Sequence, residues 1–322
     1  MNTPHDSQFA ATGAAPRIAV IIPCYNEAVA IPKVVADFRA ALPDAAIYVY
    51  DNNSQDGTAE AARAAGAIVR REILQGKGNV IRRSFADVDA DIYVLVDGDD
   101  TYDAARAPEM VALLRSDGLD MVNGARVTDI AKAYRPGHRL GNLVLTGMVR
   151  VVFGDRISDM LSGYRVFSRR FVKSFPALAG GFETETEFTV HALDLRMPVG
   201  EIATAYKDRP AGSTSKLRTY SDGVRILRTI VVLVKEERPL QFFSICGLGL
   251  LALAILLGVP VVGEFLRTGL VPRLPTAVLA MGLGLIAALS FACGLVLDSV
   301  SRGRKEVKRL AYLSIPAPPH LP

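Results

Sequence analysis

The chain has 322 residues, 50% of them hydrophobic, 22% charged and none Trp, a composition that excludes a disordered polymer and provides for one or two cored domains. Its 37 Lys and Arg against 33 Asp and Glu leave a formal charge of +4, too small a surplus to imply a nucleic-acid partner without a local basic cluster. Cys24, Cys246 and Cys293 form no CxxC pair and the four histidines never stand three or four apart, so a disulfide framework, a structural zinc and an HExxH site are all excluded.

Residues 1 to 16 are small and polar, a tail without the basic start and apolar stretch of a secretory signal, and the N-terminus is expected in the cytoplasm. From Arg17 onward short β-branched runs alternate with helical patterns. The expected strands are Ile18 to Ile22, Ile47 to Tyr50, Ala67 to Arg70, Ile92 to Val96 and Leu119 to Val122. Ile31, Val34, Phe38 and Leu42 mark a helix after the first, and Thr58 to Ala65 marks one after the second. This βαβα order predicts an α/β domain with a parallel sheet covered on both faces, whose ligand lies off the carboxyl ends of the strands.

The chemistry-bearing residues follow strands. Pro23-Cys24-Tyr25-Asn26-Glu27 ends the first, and Asp51-Asn52-Asn53-Ser54 ends the second, where Asp51 has the chemistry to accept hydrogen bonds from a base or ribose. Asp56-Gly57-Thr58 reads as a turn and helix start. The fourth strand delivers Asp97-Gly98-Asp99-Asp100, and carboxylates this close repel unless a cation lies among them; hard oxygen ligands suit Mg²⁺ or Mn²⁺. Gly76-Lys77-Gly78 opens another helix and places Lys77 near phosphate, or else makes a plain surface loop.

These motifs, in this order and spacing, resemble the nucleotide-sugar-binding domain of glycosyltransferase family 2 over about Arg17 to Lys216. The resemblance implies a GT-A-type, Rossmann-like fold. It implies that Pro23, Tyr25, Asn26, Glu27 and Asp51 hold the nucleoside, and that Asp97 and Asp99, with Gly98 between them, hold the metal on the diphosphate. Many members have a second acidic residue where this chain has Asn52. Further on, Asp159-Met160-Leu161-Ser162-Gly163-Tyr164-Arg165 is similar to the acceptor-side motif of the polyprenyl-phosphate branch, the dolichol-phosphate mannose synthase-like enzymes. Read from its residues alone, it is a Gly turn leading into a strand. Phe182-Glu183-Thr184-Glu185 resembles a second segment of that branch, opening a helix beneath the acceptor site. Tyr206, Arg209, Gly212, Ser213, Ser215 and Lys216 resemble its phosphate-closing loop, in which Arg209 and Lys216 meet the donor.

By this resemblance the chain is an inverting transferase that moves a hexose from UDP or GDP to a polyprenyl phosphate. Asp99, Asp159 and Arg165 are its expected catalytic residues; Ser162, Arg165 and Arg139 are its expected acceptor contacts, with Arg150 a further cation. Asp159 is either a base or an orienting group. A processive polysaccharide synthase resembles a Gln-x-x-Arg-Trp pattern, and this chain has no Trp. A membrane-anchored transferase with a non-phosphate acceptor and a catalytically dead scaffold are the other readings; the scaffold predicts eroded carboxylates, and Asp51, Asp97 and Asp99 are present.

After the domain 17–217, the segment 218–240 reads as an amphipathic interfacial helix, with Val224, Leu227, Ile230, Val231 and Val234 apolar and Arg225, Arg228, Lys235 and Arg238 basic. Phe242 to Gly263 and Leu274 to Leu297 then run uncharged for 22 and 24 residues, each long enough to cross a ~30 Å hydrocarbon layer. Two buried helices of a soluble domain are the competing reading. Arg302, Arg304, Lys305, Lys308 and Arg309 in the basic tail 299–322 outnumber Arg267 and Arg273 between the spans, which sets both ends and the catalytic domain in the cytoplasm at the inner membrane. Small residues such as Gly282 and Gly284 would let the spans associate into a homo-oligomer.

Overall fold

A computed structural model of the chain describes residues 15–127, 157–178, 181, 183–207, 231–232 and 234–317. They divide into two compact units, Met1–Leu227 with Lys308–Pro322, and Arg228–Val307.

The first unit is built on a seven-stranded sheet. In chain order its elements are β1 (Ile18–Cys24), α1 (Ile31–Ala41), β2 (Ala46–Asp51), α2 (Thr58–Ala64), β3 (Ile68–Arg71), α3 (Lys77–Asp87), β4 (Ile92–Leu95), α4 (Ala107–Ser116), β5 (Met121–Val127), β6 (Arg165–Ser168), α5 (Arg169–Ser174), α6 (Thr184–Asp194) and β7 (Val199–Ala205). Strands run in the order β3-β2-β1-β4-β6-β5-β7. The chain winds outward from β1 through β2 to β3, then returns to place β4 on the other side of β1. The crevice between β1 and β4 is therefore the point where strand order reverses, the position at which open α/β sheets bind their ligands.

The expectation of a parallel sheet holds for β3-β2-β1-β4 and fails beyond it. There β6 lies antiparallel between β4 and β5, and β7 joins β5 in parallel, giving a mixed sheet. This pairing buries Arg165, Val166, Phe167 and Ser168 completely.

Strand alternation distributes the core. Val20, Ile22, Val94 and Val96 point to one face, where α1 and α4 cover them; Ala19, Ile21, Tyr93 and Leu95 point to the other, under α3, α5 and α6. On the second face Phe85, Phe167, Phe171, Phe175 and Phe188 pack ring against ring, with Phe167 and Phe171 stacked at 4.5 Å and Phe167 and Phe188 at 4.8 Å. Each such pair contributes roughly 0.5–1.5 kcal/mol beyond its area burial, and together they fix α6, which carries Glu185 toward the sheet edge. In the same unit, Tyr312 donates its hydroxyl to the buried Asp120 at 2.8 Å and lies under the Arg170 guanidinium at 4.7 Å.

The second unit holds two long helices, α7 (Pro239–Thr268) and most of α8 (Leu274–Leu313). Only 17% and 11% of their most apolar stretches are buried, so they are not core helices, and both are long and apolar enough to cross a membrane. Gly269, at φ 69°, ends α7 in the left-handed region that a Cβ disfavours. Within the unit the two helices approach at Gly247 and Gly294: a Cβ on Gly247 would press on the Ala287 carbonyl, and one on Gly294 on Phe243, whereas Gly282 and Gly284 face open space within the chain. Most of the segment 218–240 lies outside the described residues. The basic stretch Arg302 to Arg309 forms the last turns of α8, with Arg302 paired to Asp298 at 2.7 Å.

Candidate active site

The site lies at the carboxyl ends of β1, β2 and β4. β1 and β2 end in register, Cys24 opposite Asp51, and the Asn52 N–H donates to the Cys24 carbonyl at 2.9 Å. The two following loops are stitched together. Ser54 Oγ accepts from the Asn26 N–H and Thr58 Oγ1 from the Glu27 N–H, each at 2.9 Å; Asp56 accepts from the Ala28 N–H at 3.0 Å. Asn26, at φ 53°, adopts the left-handed conformation that Asn tolerates better than most residues, and its Oδ1 accepts from the Gln55 N–H at 2.8 Å. Pro23 is the penultimate residue of β1, Tyr25 stands 38% exposed, and Glu27 and Asp51 are buried.

Asp51 ends β2 opposite Cys24, Glu27 follows β1, and Asp97 and Asp99 follow β4, so four carboxylates stand at neighbouring strand ends. Burial pushes the Cys24 thiol well above its ordinary value, and the charges of Glu27, Asp51, Asp97 and Asp99 each add to the rise. Gly98 lets the Asp97-to-Asp99 turn approach this closely, since a Cβ there would collide with Cys24 Sγ. Asp99 accepts from the Thr101 hydroxyl at 2.6 Å. Asp100, at φ 56°, is drawn aside to Lys33 at 2.9 Å, so the three acidic residues separate into an inward pair and an outward one.

Lys77, expected beside phosphate, is the first residue of α3 and lies buried. Its ammonium bridges Asp97 Oδ1 and Glu185 Oε1. Burial alone would lower its pKa, but the two carboxylates outweigh it and hold the charge above the ordinary lysine value. Asn52 proves to be a clamp. Its amide donates to the carbonyls of Glu72 at 2.9 Å and Leu74 at 2.8 Å, and its Oδ1 accepts from the Gly76 N–H at 2.7 Å, setting the loop that delivers Lys77. An acid at this position would lose both donated bonds.

The acceptor-side motif is placed differently from expectation in two respects. Arg165, expected on a phosphate, is fully buried, and its guanidinium is spent on the protein: Nε donates to the Ser162 carbonyl at 3.1 Å, Nη2 to the Met160 carbonyl at 2.6 Å and Nη1 to Thr189 Oγ1 at 3.0 Å. Burial pulls its pKa down to about 10, and its face lies 5.6 Å from the Phe188 ring centre. It fastens the 160–162 turn from inside. Ser162, an expected acceptor contact, is also fully buried; its hydroxyl donates to the Gly124 carbonyl and accepts from the Tyr164 N–H. Gly163 packs directly against the Asp97 carboxylate with no room for a Cβ, which brings this motif into the site.

Asp159 is held by Arg126, a residue the sequence reading did not single out. Nε and Nη2 contact Oδ2 and Oδ1 at 2.7 and 2.8 Å, and the Arg126 N–H adds a bond at 3.1 Å. Burial would raise the Asp159 carboxyl; the Arg126 bonds more than reverse this and hold it below the ordinary range. Glu201 accepts from the Ser158 N–H at 3.0 Å, and Asn123 joins Glu201 to the Asp159 carbonyl. Nothing in the sequence pattern links Arg126, Asn123 and Glu201 to Asp159, from which they stand 33, 36 and 42 residues away. Arg139, Arg150, Arg209 and Lys216 lie outside the described residues.

The residues present fit a hard divalent cation. Asp97 and Asp99 supply two carboxylates at a sheet edge, and no group of three or more His, Cys, Asp or Glu ligands occurs among the described residues. One or two carboxylates completed by a diphosphate and water is the way Mg²⁺ is usually held.

Comparison with known proteins agrees with this architecture. Residues 19–175 match the family model described as Glycosyl transferase family 2. The chain is 31% identical over 303 residues to Glycosyltransferase AglJ of Haloferax volcanii, covering 92% of this chain and 98% of that one. It is 29% identical over 221 residues to the Dolichyl-phosphate hexose transferase of the same organism, covering 69% and 95%. Its fold matches the crystal structure of glucosyl-3-phosphoglycerate synthase from Mycobacterium tuberculosis in complex with Mn²⁺ and uridine-diphosphate-glucose, with a TM-score of 0.54 at 23% identity over 68% of this chain and 78% of that one. A GT-A-type fold, the family model and 31% identity to AglJ over nearly the full length of both chains together place the chain in glycosyl transferase family 2.

Proposed function

We propose that the chain transfers a hexose from a UDP- or GDP-sugar to a polyprenyl phosphate at the inner membrane, with inversion at the anomeric carbon, to supply cell-envelope glycan synthesis or modification. The observation that carries this reading is the placement of Glu27, Asp51, Asp97 and Asp99 at the carboxyl ends of β1, β2 and β4, with Gly98 packed against Cys24 Sγ, in a chain that also carries two long apolar helices. The Dolichyl-phosphate hexose transferase similarity supports a lipid-phosphate acceptor, and the solved relative bound to Mn²⁺ and UDP-glucose supports a metal-assisted nucleotide-sugar donor.

In this mechanism Tyr25, Asn26 and Glu27 with Asp51 receive the nucleoside, Asp51 accepting from base or ribose. Asp97 and Asp99 would hold Mg²⁺ or Mn²⁺, which would neutralise charge developing on the leaving diphosphate. Lys77 presents a second positive charge from the α3 terminus. A phosphate monoester, with its second pKa of ~6, is largely dianionic near neutrality and attacks the anomeric carbon without a strong base. Asp159 fits an orienting role better than a basic one, because Arg126 stabilises its ionised form and weakens it as a proton acceptor. Arg165 and Ser162 shape the turn from within; the acceptor phosphate falls to Arg139, while Arg209 and Lys216 engage the donor. The basic residues Arg302 to Arg309 favour a cytoplasmic catalytic unit.

The acceptor is tested by incubating detergent-purified protein with Mn²⁺, labelled UDP- and GDP-hexoses, and either undecaprenyl phosphate or undecaprenol. Label entering the organic phase only with the phosphate supports the reading. Donor binding with no lipid product transfers the case to a non-phosphate acceptor.

A further inference from the structure

The Lys77 ammonium bridges Asp97, at the end of β4, and Glu185, in the first turn of α6. Lys77 and Glu185 are almost wholly buried, while Asp97 keeps 30% of its side chain exposed toward the crevice. Glu185 Oε2 has no hydrogen-bond partner although it is buried. Lys77 is therefore the one cation at contact distance from Glu185 among the described residues, and the buried Arg165 feels the same carboxylate only at longer range. On Asp97 the ammonium takes up an oxygen that a divalent ion would also seek.

We infer that Lys77 is a resident cation that competes with the divalent metal for Asp97, and that Glu185 is a positioning residue that draws Lys77 off Asp97 when metal and diphosphate arrive. This rests on the donor site proposed above. Two cations crowding one carboxylate repel each other, so in the nucleotide-free protein Lys77 weakens metal binding. An incoming diphosphate offers Lys77 an anionic partner of its own and relieves the competition. Glu185 keeps the ammonium within the site during that exchange, so the charge passes to the leaving group without entering water. Metal and nucleotide then favour each other's binding by more than their direct contact provides, and by linkage the enhancement is reciprocal.

The test is titration of the full-length, detergent-purified protein with Mn²⁺, following the free-ion signal by electron paramagnetic resonance, with and without UDP or GDP. Lys77→Met combined with Glu185→Gln removes both buried charges together, and thermal melting verifies that the variant folds. Without nucleotide this double variant is expected to bind Mn²⁺ at least threefold more tightly than wild type. Glu185→Gln alone is expected to shift affinity the opposite way, at least threefold weaker, because Lys77 then has only Asp97 to hold. A purely structural pair would lower the melting temperature in both variants without opposite shifts in Mn²⁺ affinity. Equal or weaker Mn²⁺ binding by a folded double variant, beside a wild type that binds Mn²⁺ with nucleotide, overturns the inference and leaves the donor site standing. Absence of Mn²⁺ binding by every form with either nucleotide overturns the donor-site reading itself.

Discussion

Arg126 holds Asp159 by a two-pronged ion pair, at 2.7 and 2.8 Å, and adds its own backbone N–H to the same carboxylate. The pair joins β5 to the turn that carries the acceptor-side motif, so a charge expected to act on substrate also fixes the turn's position. Asp159→Asn retains the shape and removes the charge. We expect it to cost about 1.5–3 kcal/mol of stability at pH 7, the range for hydrogen bonds to charged groups. Because the folded carboxyl lies below its unfolded value, this contribution is present above roughly pH 4 and disappears as pH falls through the folded value. Chemical unfolding of both proteins at several pH values should show the gap closing only in acid. In activity, an orienting Asp159 predicts a lower turnover with an unshifted acid limb of the pH profile; loss of that limb would identify a base.

Arg165 is the largest wholly buried side chain among the described residues and ties two carbonyls of one turn to Thr189. Arg165→Lys keeps the charge but lacks the fork that reaches both carbonyls. A loss of about 3 kcal/mol is expected, from a buried charge left short of partners. Arg165→Met, which strands no charge, should be the milder change, and a melting-temperature comparison decides the order. A phosphate-binding role would reverse it, with Lys preserving activity and Met abolishing it.

Gly163 touches the Asp97 carboxylate. Adding one methyl in Gly163→Ala should displace that carboxylate and raise the KM for donor about tenfold or more, with a smaller change in melting temperature. Steady-state kinetics at varied Mn²⁺ would show whether extra metal recovers part of the loss, as the account expects.

Asn52→Asp restores the acid found in many members of the family. It also loses the two bonds donated to Glu72 and Leu74 and sets a carboxylate against their carbonyls. The expected result is about 1–3 kcal/mol lower stability, the cost of leaving buried groups unsatisfied, and weaker nucleotide binding through the displaced Gly76–Lys77 loop. Isothermal titration with UDP and GDP measures the second effect.

His191 is buried between Phe171 and Phe175, and burial first, then Lys308, lowers its pKa to about 3. The fold binds the neutral ring, so its contribution is full above the unfolded value near 6.5 and declines as pH falls from there toward 3. His191→Phe should flatten the acid decline in stability over that window, measured by urea unfolding. An unchanged slope would show that the ring charges without cost.

Much of the fold was legible because β1 to β5 are short apolar runs flanked by helices, and periodicity located each within a few residues. The antiparallel insertion of β6 was not, since the sequence from Tyr164 to Ser168 shows a strand but not its neighbours. Strand order is a long-range property: β6 follows β5 in the chain, yet pairs with β4 as well. At the site, Asp51, Asp97 and Asp99 were readable because they end strands. The interior placement of Arg165 was not readable, and the reason is physical. A cation beside a Gly turn looks available, and only the folded chain shows that three carbonyl and hydroxyl acceptors already surround it. The Lys77–Glu185 pair, 108 residues apart, was likewise visible only once α6 had packed on its aromatic cluster.

The central claim is lipid-phosphate glycosylation, and mass spectrometry of the lipid fraction tests it most directly. Purified protein would be incubated with Mn²⁺, undecaprenyl phosphate and a panel of UDP- and GDP-hexoses, with Asp99→Ala in parallel. The account predicts a new species heavier than undecaprenyl phosphate by one anhydrohexose with wild type and one donor, and none with the variant. Donor binding with no such species from wild type would contradict it.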